Sequence, residues 1–132
     1  MYGLAVVMAI LLGLASRHDP AAMPAFLGKY PGDALWAAMV FFGLGAVRRR
    51  SSTSSVALLA LAICFVVEAM KLHQAPWIVG IRQTTLGHLV LGHVFSVRNL
   101  LAYAVGIVAA LGVEVLWLSG QDTRARIDDR HP

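Results

Sequence analysis

An ionisable residue, Glu68, stands near the end of a long apolar run in this sequence. A charged group in such surroundings is costly unless it has a partner or reaches water. Lys71 follows three residues later, a spacing at which helical side chains meet and can form an ion pair. Arg82 or Arg98 can also reach this carboxylate from neighbouring segments. Two interpretations follow: a structural ion pair that holds a segment to a helical bundle, or a carboxylate that binds a polar headgroup or relays a proton.

Other polar residues are predicted to lie at the same end of the bundle. Asn99 and Tyr103 lie one turn apart at the start of the last apolar run, and Thr84 lies in the segment before it. Arginine offers paired N–H donors that match a phosphate group. We therefore predict a polar cluster that holds a lipid phosphate or a sugar headgroup. Its candidate ligand-binding residues are Glu68, Lys71, Arg82, Thr84, His88, Arg98, Asn99 and Tyr103.

The histidines do not have the spacing of a metal site. His88 and His93 are five residues apart, whereas helical ligand pairs are four apart, and His73 lies in another stretch. We expect no metal and no cofactor. The sequence has no P-loop, no Gly-x-Ser-x-Gly motif and no His-Glu-x-x-His motif, and we assign no catalytic residue. A membrane enzyme with Glu68 and His88 as acid and base is an alternative that lacks a nucleophile.

The composition indicates a chain embedded in a membrane. Of the 132 residues, 58% are hydrophobic and 14% are charged, whereas soluble domains have about 45–50% and about 25%. A soluble fold of this size has too little interior for so much apolar surface. The formal net charge is +4, but the basic residues lie beside apolar runs, as they do at membrane surfaces. We therefore expect the lipid bilayer as a partner and no binding of nucleic acid.

Four apolar segments predict an all-α, integral membrane four-helix bundle. A membrane-spanning backbone must satisfy its own hydrogen bonds, so each segment is predicted as a helix. The four segments cover about residues 1–16, 33–47, 55–71 and 98–118. Residues 81–95 are too short an apolar stretch to cross, and they predict an additional short interfacial or re-entrant helix between spans three and four. The chain is thus one transmembrane domain, 1–118, with a polar and mobile tail, 119–132.

The connecting segments predict the helix ends. The loop before the second span has structural residues Gly28, Lys29, Tyr30, Gly32 and Asp33. Asp33 is predicted to be the N-cap of the second helix, and a serine of the run 51–55 is predicted to cap the third.

The basic loop at residues 48–50 predicts the orientation. Short loops rich in arginine stay on the cytoplasmic side, and four spans then place both termini and the tail in the cytoplasm. The polar cluster at Glu68 is thereby predicted to face the outside. Glu114, near the inner end of the last span, is predicted to pair with an arginine of this loop or to reach the interface.

Small residues recur at every fourth position in two spans. The series are Ala5, Ala9 and Gly13 in the first span, and Ala102, Gly106 and Ala110 in the last. Such residues let helix backbones approach closely in lipid. The pattern favours packing inside the bundle, and homodimerisation through the same faces is the alternative.

The sequence resembles a family of small bacterial multipass membrane proteins of unknown function, and is distantly similar to the VanZ-like group. The similarity rests on Gly28 to Trp36, on Glu68, on Arg82 with Leu86-Gly87-His88, and on Leu100 to Tyr103 with Gly106. It implies an inner-membrane protein with about four helices and, for VanZ itself, an association with teicoplanin resistance. It implies no catalytic residue. Asn99 and Lys71 depart from the pattern, in which Asp and Gln are usual.

The leading functional hypothesis is therefore a non-enzymatic integral membrane protein of the bacterial cell envelope. Its outer polar cluster is predicted to recognise a lipid, a cell-wall intermediate or an envelope protein. The alternative is a small transporter or flippase-like subunit, which needs a polar path through the bilayer. The centres of the four spans are apolar, and this disfavours the alternative.

Overall fold

The computed structural model describes residues 1–18, 30–92 and 94–128, and every regular element in these ranges is an α-helix. This confirms the predicted all-α class. The helices are α1 (Tyr2–His18), α2 (Tyr30–Val47), α3 (Thr53–Met70), α4 (Pro76–Gln83), α5 (Thr85–Leu91) and α6 (Val97–Asp128).

Three of these helices are long and apolar enough to cross a membrane. They are α2, α3 and the stretch Val97–Gln121 of α6. Eighteen residues rise about 27 Å as a helix, close to the roughly 30 Å hydrocarbon core of a bilayer. The apolar part of α1, Tyr2–Ala15, is shorter. The structure therefore supports membrane localisation through three helices.

Helix α2 lies at the centre of the packing. It contacts α1, α3 and α6, and α3 also contacts α6. The core between these helices contains Phe41, Ala60, Cys64 and Ile107, all of them buried. Large apolar side chains such as Leu101 project outward, as expected where lipid is the solvent.

The small residues of α6 face α2 within the same chain. Ala102 and Ala110 are buried, and a Cβ added at Gly106 would overlap the backbone carbonyl of Ala34. Glycine at this position allows the two helix backbones to touch. In α1, Ala9 is buried, and the closest atom to an added Cβ at Gly13 would be Leu35 Cβ, at 3.9 Å. Both series thus pack inside the bundle.

The predicted N-terminal cap is correct for α3 and wrong for α2. The Ser52 side chain accepts a hydrogen bond from the Ser55 N–H, so a serine caps α3 as predicted. Helix α2 begins at Tyr30, not at Asp33. Pro31 is compatible with the first turn because its φ is helical and the missing N–H has no acceptor there. Asp33 instead lies in the first turn, where the helix dipole stabilises a carboxylate. Gly28 and Lys29 lie outside the described residues.

Helix α6 is longer than the predicted span 98–118. It continues through Gly120 to Asp128, ten residues beyond the predicted end of the span. A glycine inside a helix costs only about 1 kcal/mol relative to alanine, and the next proline is Pro132. The boundary was predicted from the change in polarity, which ends the apolar surface but not the helical backbone.

The predicted interfacial segment, 81–95, contains the end of one short helix, α4, and the whole of a second, α5. Pro76 opens α4, and Thr84 ends α4 and caps α5, accepting a hydrogen bond from the Gly87 N–H at 3.0 Å. Helix α5 ends at Gly92, whose φ of 61° is readily adopted only by glycine. With 8 and 7 residues, α4 and α5 rise about 12 and about 10 Å. Neither is long enough to cross a bilayer.

Candidate functional site

The Glu68 carboxylate is fully buried and accepts four hydrogen bonds. Oε1 accepts from the Ser96 backbone N–H at 2.8 Å and from Asn99 Nδ2 at 3.1 Å. Oε2 accepts from Tyr103 Oη at 2.8 Å and from Lys71 Nζ at 2.5 Å. We call these five residues the Glu68 cluster. The sequence-predicted Glu68, Lys71, Asn99 and Tyr103 therefore do come together.

Local helix geometry positions both halves of the Glu68 cluster. Glu68 and Lys71 lie three residues apart at the end of α3, where Lys71 is the C-cap. Asn99 and Tyr103 lie four residues apart in the first turns of α6, one above the other on the same face. The cluster therefore joins the end of α3 to the start of α6.

The Glu68 cluster has the properties of a structural ion pair. Burying a carboxylate and an ammonium is compensated only when the remaining donors and acceptors are also satisfied. Here the carboxylate has one charged donor and three neutral ones. A carboxylate saturated in this way is poorly disposed to accept a substrate proton. The geometry thus favours the first of the two sequence-based interpretations.

Arg82 does not reach Glu68. Its side chain is only 2% exposed, and it donates to backbone carbonyls, from Nη1 to His73 O at 3.1 Å and from Nη2 to Met70 O. Carbonyls at a helix C-terminus attract cations because their intrahelical partners are missing. Arg82 therefore binds α4 to the end of α3 and does not use the possible contact with the carboxylate.

Replacing Arg82 by methionine is expected to loosen the α4–α5 segment. Hydrogen bonds to a charged donor contribute about 1.5–3 kcal/mol, and methionine keeps the apolar volume without the donors. We expect amide hydrogen exchange in residues 76–91 to become faster by roughly tenfold or more. In detergent micelles, the amides at the α2–α6 interface should exchange at the same rate in the variant and the wild type. Equal protection of residues 76–91 in both proteins would contradict the anchoring role.

The remaining predicted site residues lie outside the Glu68 cluster. Thr84 shapes the turn between α4 and α5, and its hydroxyl also donates to Ile81 O at 2.7 Å. His88 is exposed on α5, and Arg98 is exposed in the first turn of α6. Tyr30 lies in the first turn of α2 and is partly buried. These residues are separate surface or turn positions in the folded chain.

An open apolar groove lies between α1, α2 and α5. It has a volume of about 180 Å³ and is lined by residues that include Ile10, Gly13, Leu35, Trp36, Leu86 and Val90. The Trp36 ring also contacts the Tyr103 ring, with centroids 5.7 Å apart, so one wall of the groove rests on the Glu68 cluster. Sequence reasoning missed the groove because its three walls come from distant segments.

A second buried carboxylate lies at the other end of α6. Glu114 is 4% exposed and accepts a hydrogen bond from the Tyr2 hydroxyl. The described partner of Glu114 is thus Tyr2 and not an arginine of the loop 48–50, whereas its position relative to the membrane interface stays a prediction. The Tyr2 ring packs so closely on Gly45 of α2 that a Cβ there would lie 2.7 Å from it. No local pattern in the sequence predicts the contact between Tyr2 and Glu114, because Tyr2 lies in an apolar span and the two residues are 112 positions apart.

Comparison with known families gives one match. Residues 22–107, more than half of the chain, match the sequence model of a family described as protein of unknown function DUF2809. The chain therefore belongs to this family, as the resemblance to membrane proteins of unknown function anticipated. No solved structure matches the chain. The similarity to the VanZ-like group and the bacterial origin stay predictions.

Proposed function

We propose that this DUF2809 protein crosses a bacterial inner membrane four times and recognises a lipid at its outer face. The observation that carries the proposal is the apolar groove between α1, α2 and α5, which opens beside the polar end of the bundle. A hydrocarbon chain of the lipid would lie in the groove. The headgroup would meet the polar residues at the start of α2, α5 and α6.

The fourth crossing in this proposal is α1. Its 17 residues rise about 26 Å, and spans of about 17–25 residues cross bilayers. Its large side chains are mostly exposed, as on a lipid-facing helix; among them are Leu4, Val7 and Leu11. With residues 48–50 on the cytoplasmic side, both termini are cytoplasmic and the Glu68 cluster lies toward the outside.

The size and chemistry of the groove suit part of a hydrocarbon chain. An apolar cavity of about 150 Å³ admits a benzene-sized guest, and the groove has about 180 Å³. Its lining contains side chains such as Leu35, Leu86 and Val90 but no charged residue. A bilayer supplies such a chain at high local concentration.

The charges around this end of the bundle favour an anionic headgroup. The described part of α2 to α6 has three basic residues here, Lys71, Arg82 and Arg98, against two acidic ones, Asp33 and Glu68. Lys71 and Arg82 are buried and bonded within the chain, whereas Arg98 is exposed. An exposed arginine offers the paired donors that a phosphate accepts.

Gly13→Leu is expected to fill the groove and exclude the chain. An added Cβ at Gly13 makes only an ordinary contact with Leu35, so the larger side chain extends into open space. In nanodiscs containing phosphatidylglycerol with a diazirine in one acyl chain, light should label the peptide that includes Leu86 and Val90. We expect Gly13→Leu to reduce this labelling about fivefold, the effect of losing one or two buried methylene groups.

Gly112→Leu is the matched control for this experiment. Gly112 is exposed on α6, with nothing within 4 Å of an added Cβ, so the same change there should leave labelling of the α5 peptide unchanged. The proposal fails if labelling is spread evenly over all lipid-facing helices, or if Gly13→Leu labels like the wild type. A second probe, phosphatidylcholine with the same diazirine chain, tests the headgroup. If it labels the α5 peptide as strongly as the phosphatidylglycerol probe does, the groove binds lipid without a preference for an anionic headgroup.

The transporter alternative has less support. A polar path would have to join the Glu68 cluster to Glu114, which is eleven residues or about 16 Å beyond Tyr103 along α6. The buried layer between them contains Phe41, Ile107 and Ala110. An enzyme is less supported too, because the four donors on Glu68 leave it poorly disposed to act as a base.

A further inference from the structure

The loop between α2 and α3 carries three consecutive arginines at the end of the bundle away from the groove. Arg48, Arg49 and Arg50 are all exposed. With Ala46, Val47 and Ser51 they line a concave opening of about 530 Å³. We call residues 46–51 the arginine loop. The proposed function does not use it.

Hydrogen bonds within the arginine loop hold two of its side chains. Arg48 Nε donates to Ser51 Oγ at 3.2 Å, and Arg49 Nε donates to Ala46 O, in the last turn of α2, at 3.1 Å. Both bonds are made by Nε, and they do not use the terminal amino groups. The two terminal nitrogens of each guanidinium can still donate a pair of hydrogen bonds to a phosphate. The bonds thus orient two phosphate-binding forks without occupying them.

No carboxylate of the neighbouring parts of α2 and α3 neutralises the charge of the arginine loop. Residues 34–67 contain no aspartate and no glutamate, and Asp33 and Glu68 lie at the opposite ends of α2 and α3. Glu114, at the same end of the bundle as the loop, is buried and bonded to Tyr2. Among the side chains that the structure describes at this end of the bundle, none offers the three arginines a free carboxylate.

The position of the arginine loop identifies a source of anions. Helices α2 and α3 have 18 residues each and are about 27 Å long; α2 ends and α3 begins at this loop. When both cross the hydrocarbon core, the loop lies at the depth of the lipid phosphates. Val47, beside the arginines, is 84% exposed, as an apolar residue at a lipid surface can be. An anionic leaflet attracts basic residues that lie at its surface.

We infer that the arginine loop binds the phosphodiester groups of anionic phospholipids in the leaflet that it faces. Arg48 and Arg49 supply the oriented forks, and Arg50 adds a third charge. Because the site is at the other end of α2 from Gly32 and Leu35, which line the groove, it is independent of the lipid bound there.

The test measures which lipids stay with the full chain. Wild type and the triple variant Arg48→Gln, Arg49→Gln, Arg50→Gln are reconstituted in nanodiscs of phosphatidylcholine and phosphatidylglycerol at 3:1. Each is then released into detergent, and retained lipids are identified by native mass spectrometry. We expect wild type to retain phosphatidylglycerol preferentially and the glutamine variant to retain less by at least about tenfold, since each of the three arginines near an anionic surface contributes several-fold. Nanodiscs expose both faces, so an altered insertion direction does not affect the result.

Three further variants keep the test decisive. The triple lysine variant preserves the charge but not the fork, and we expect intermediate retention. Gly112→Leu changes an exposed position of α6 that lines neither the groove nor the arginine loop, and it should retain lipid like the wild type. Gly13→Leu fills the groove, and adding the glutamine changes to it should still reduce retention. If the glutamine variant has unchanged circular dichroism and retains as much phosphatidylglycerol as the wild type, the inference is overturned. If the lysine variant retains as much as the wild type, the paired donors of arginine are not needed.

Discussion

Glu68→Gln is expected to lower the free energy of unfolding by about 3–5 kcal/mol, the range found when one partner of a buried ion pair is removed. The substitution keeps the size of the side chain but leaves the Lys71 ammonium, only 6% exposed, without a counter-charge. It also replaces one of the two acceptor oxygens that serve Ser96, Asn99 and Tyr103. Unfolding in mixed dodecylmaltoside and dodecyl sulfate micelles, followed by circular dichroism, measures the loss.

The double variant Glu68→Gln, Lys71→Gln is the control. It removes both charges, so it should be less destabilised than the sum of the two single variants, with a coupling of about 1 kcal/mol or more. A loss below about 1 kcal/mol for Glu68→Gln would show that the cluster does not depend on the ion pair. Because α3 and α6 meet here, hydrogen exchange at Ser96 and Asn99 should rise together in the single variant.

Gly106→Val is expected to destabilise the bundle by about 3 kcal/mol or more. A Cβ at this position would overlap the Ala34 carbonyl oxygen and carbon, which belong to the backbone of α2 and cannot rotate away. The two helices must therefore separate, and overpacking of this kind costs about 1–3 kcal/mol or more. The separation should also open the layer around Phe41 and Ile107. Unfolding in the same mixed micelles measures the change.

Gly112→Val serves as the matched control for Gly106→Val. Gly112 lies in the same helix but is exposed, and an added Cβ there meets no atom within 4 Å. Both substitutions introduce the same side chain into α6, so the difference between them isolates the contact with α2. If the two variants unfold at the same denaturant concentration, close approach of α2 and α6 does not limit stability.

Local patterns predicted much of the helical structure. Apolar runs of 15 or more residues predicted α2, α3 and the apolar part of α6, because lipid allows only a backbone that satisfies its own hydrogen bonds. A serine cap in the run 51–55 was predicted from the N-cap preference, which acts over three residues, and Ser52 is that cap. The errors fell where local signals compete. Asp33 is a good cap residue, but Pro31 favours an earlier start of α2.

The candidate site was predicted in part. The pairing of Glu68 with Lys71 is a local property of one helix, so the i, i+3 spacing was sufficient to predict it. The direction of Arg82 was not predictable, because its acceptors are backbone carbonyls that every residue possesses. The groove was missed for the same kind of reason: Gly13, Trp36 and Leu86 are ordinary residues of an apolar span until three helices bring them together.

The amino-acid sequence by itself determined that this chain is helical, apolar enough for a membrane, and polar at Glu68 and the residues around it, because these properties depend on composition and on neighbours within one helical turn. Only the tertiary structure decided that Ser96, Asn99 and Tyr103 saturate the carboxylate, that Gly106 seats α6 on α2, and that α5 closes a groove over α1 and α2. The physical reason is distance along the chain. Contacts between residues 28 to 35 positions apart, as Glu68 makes with α6, depend on how helices pack and have no local pattern.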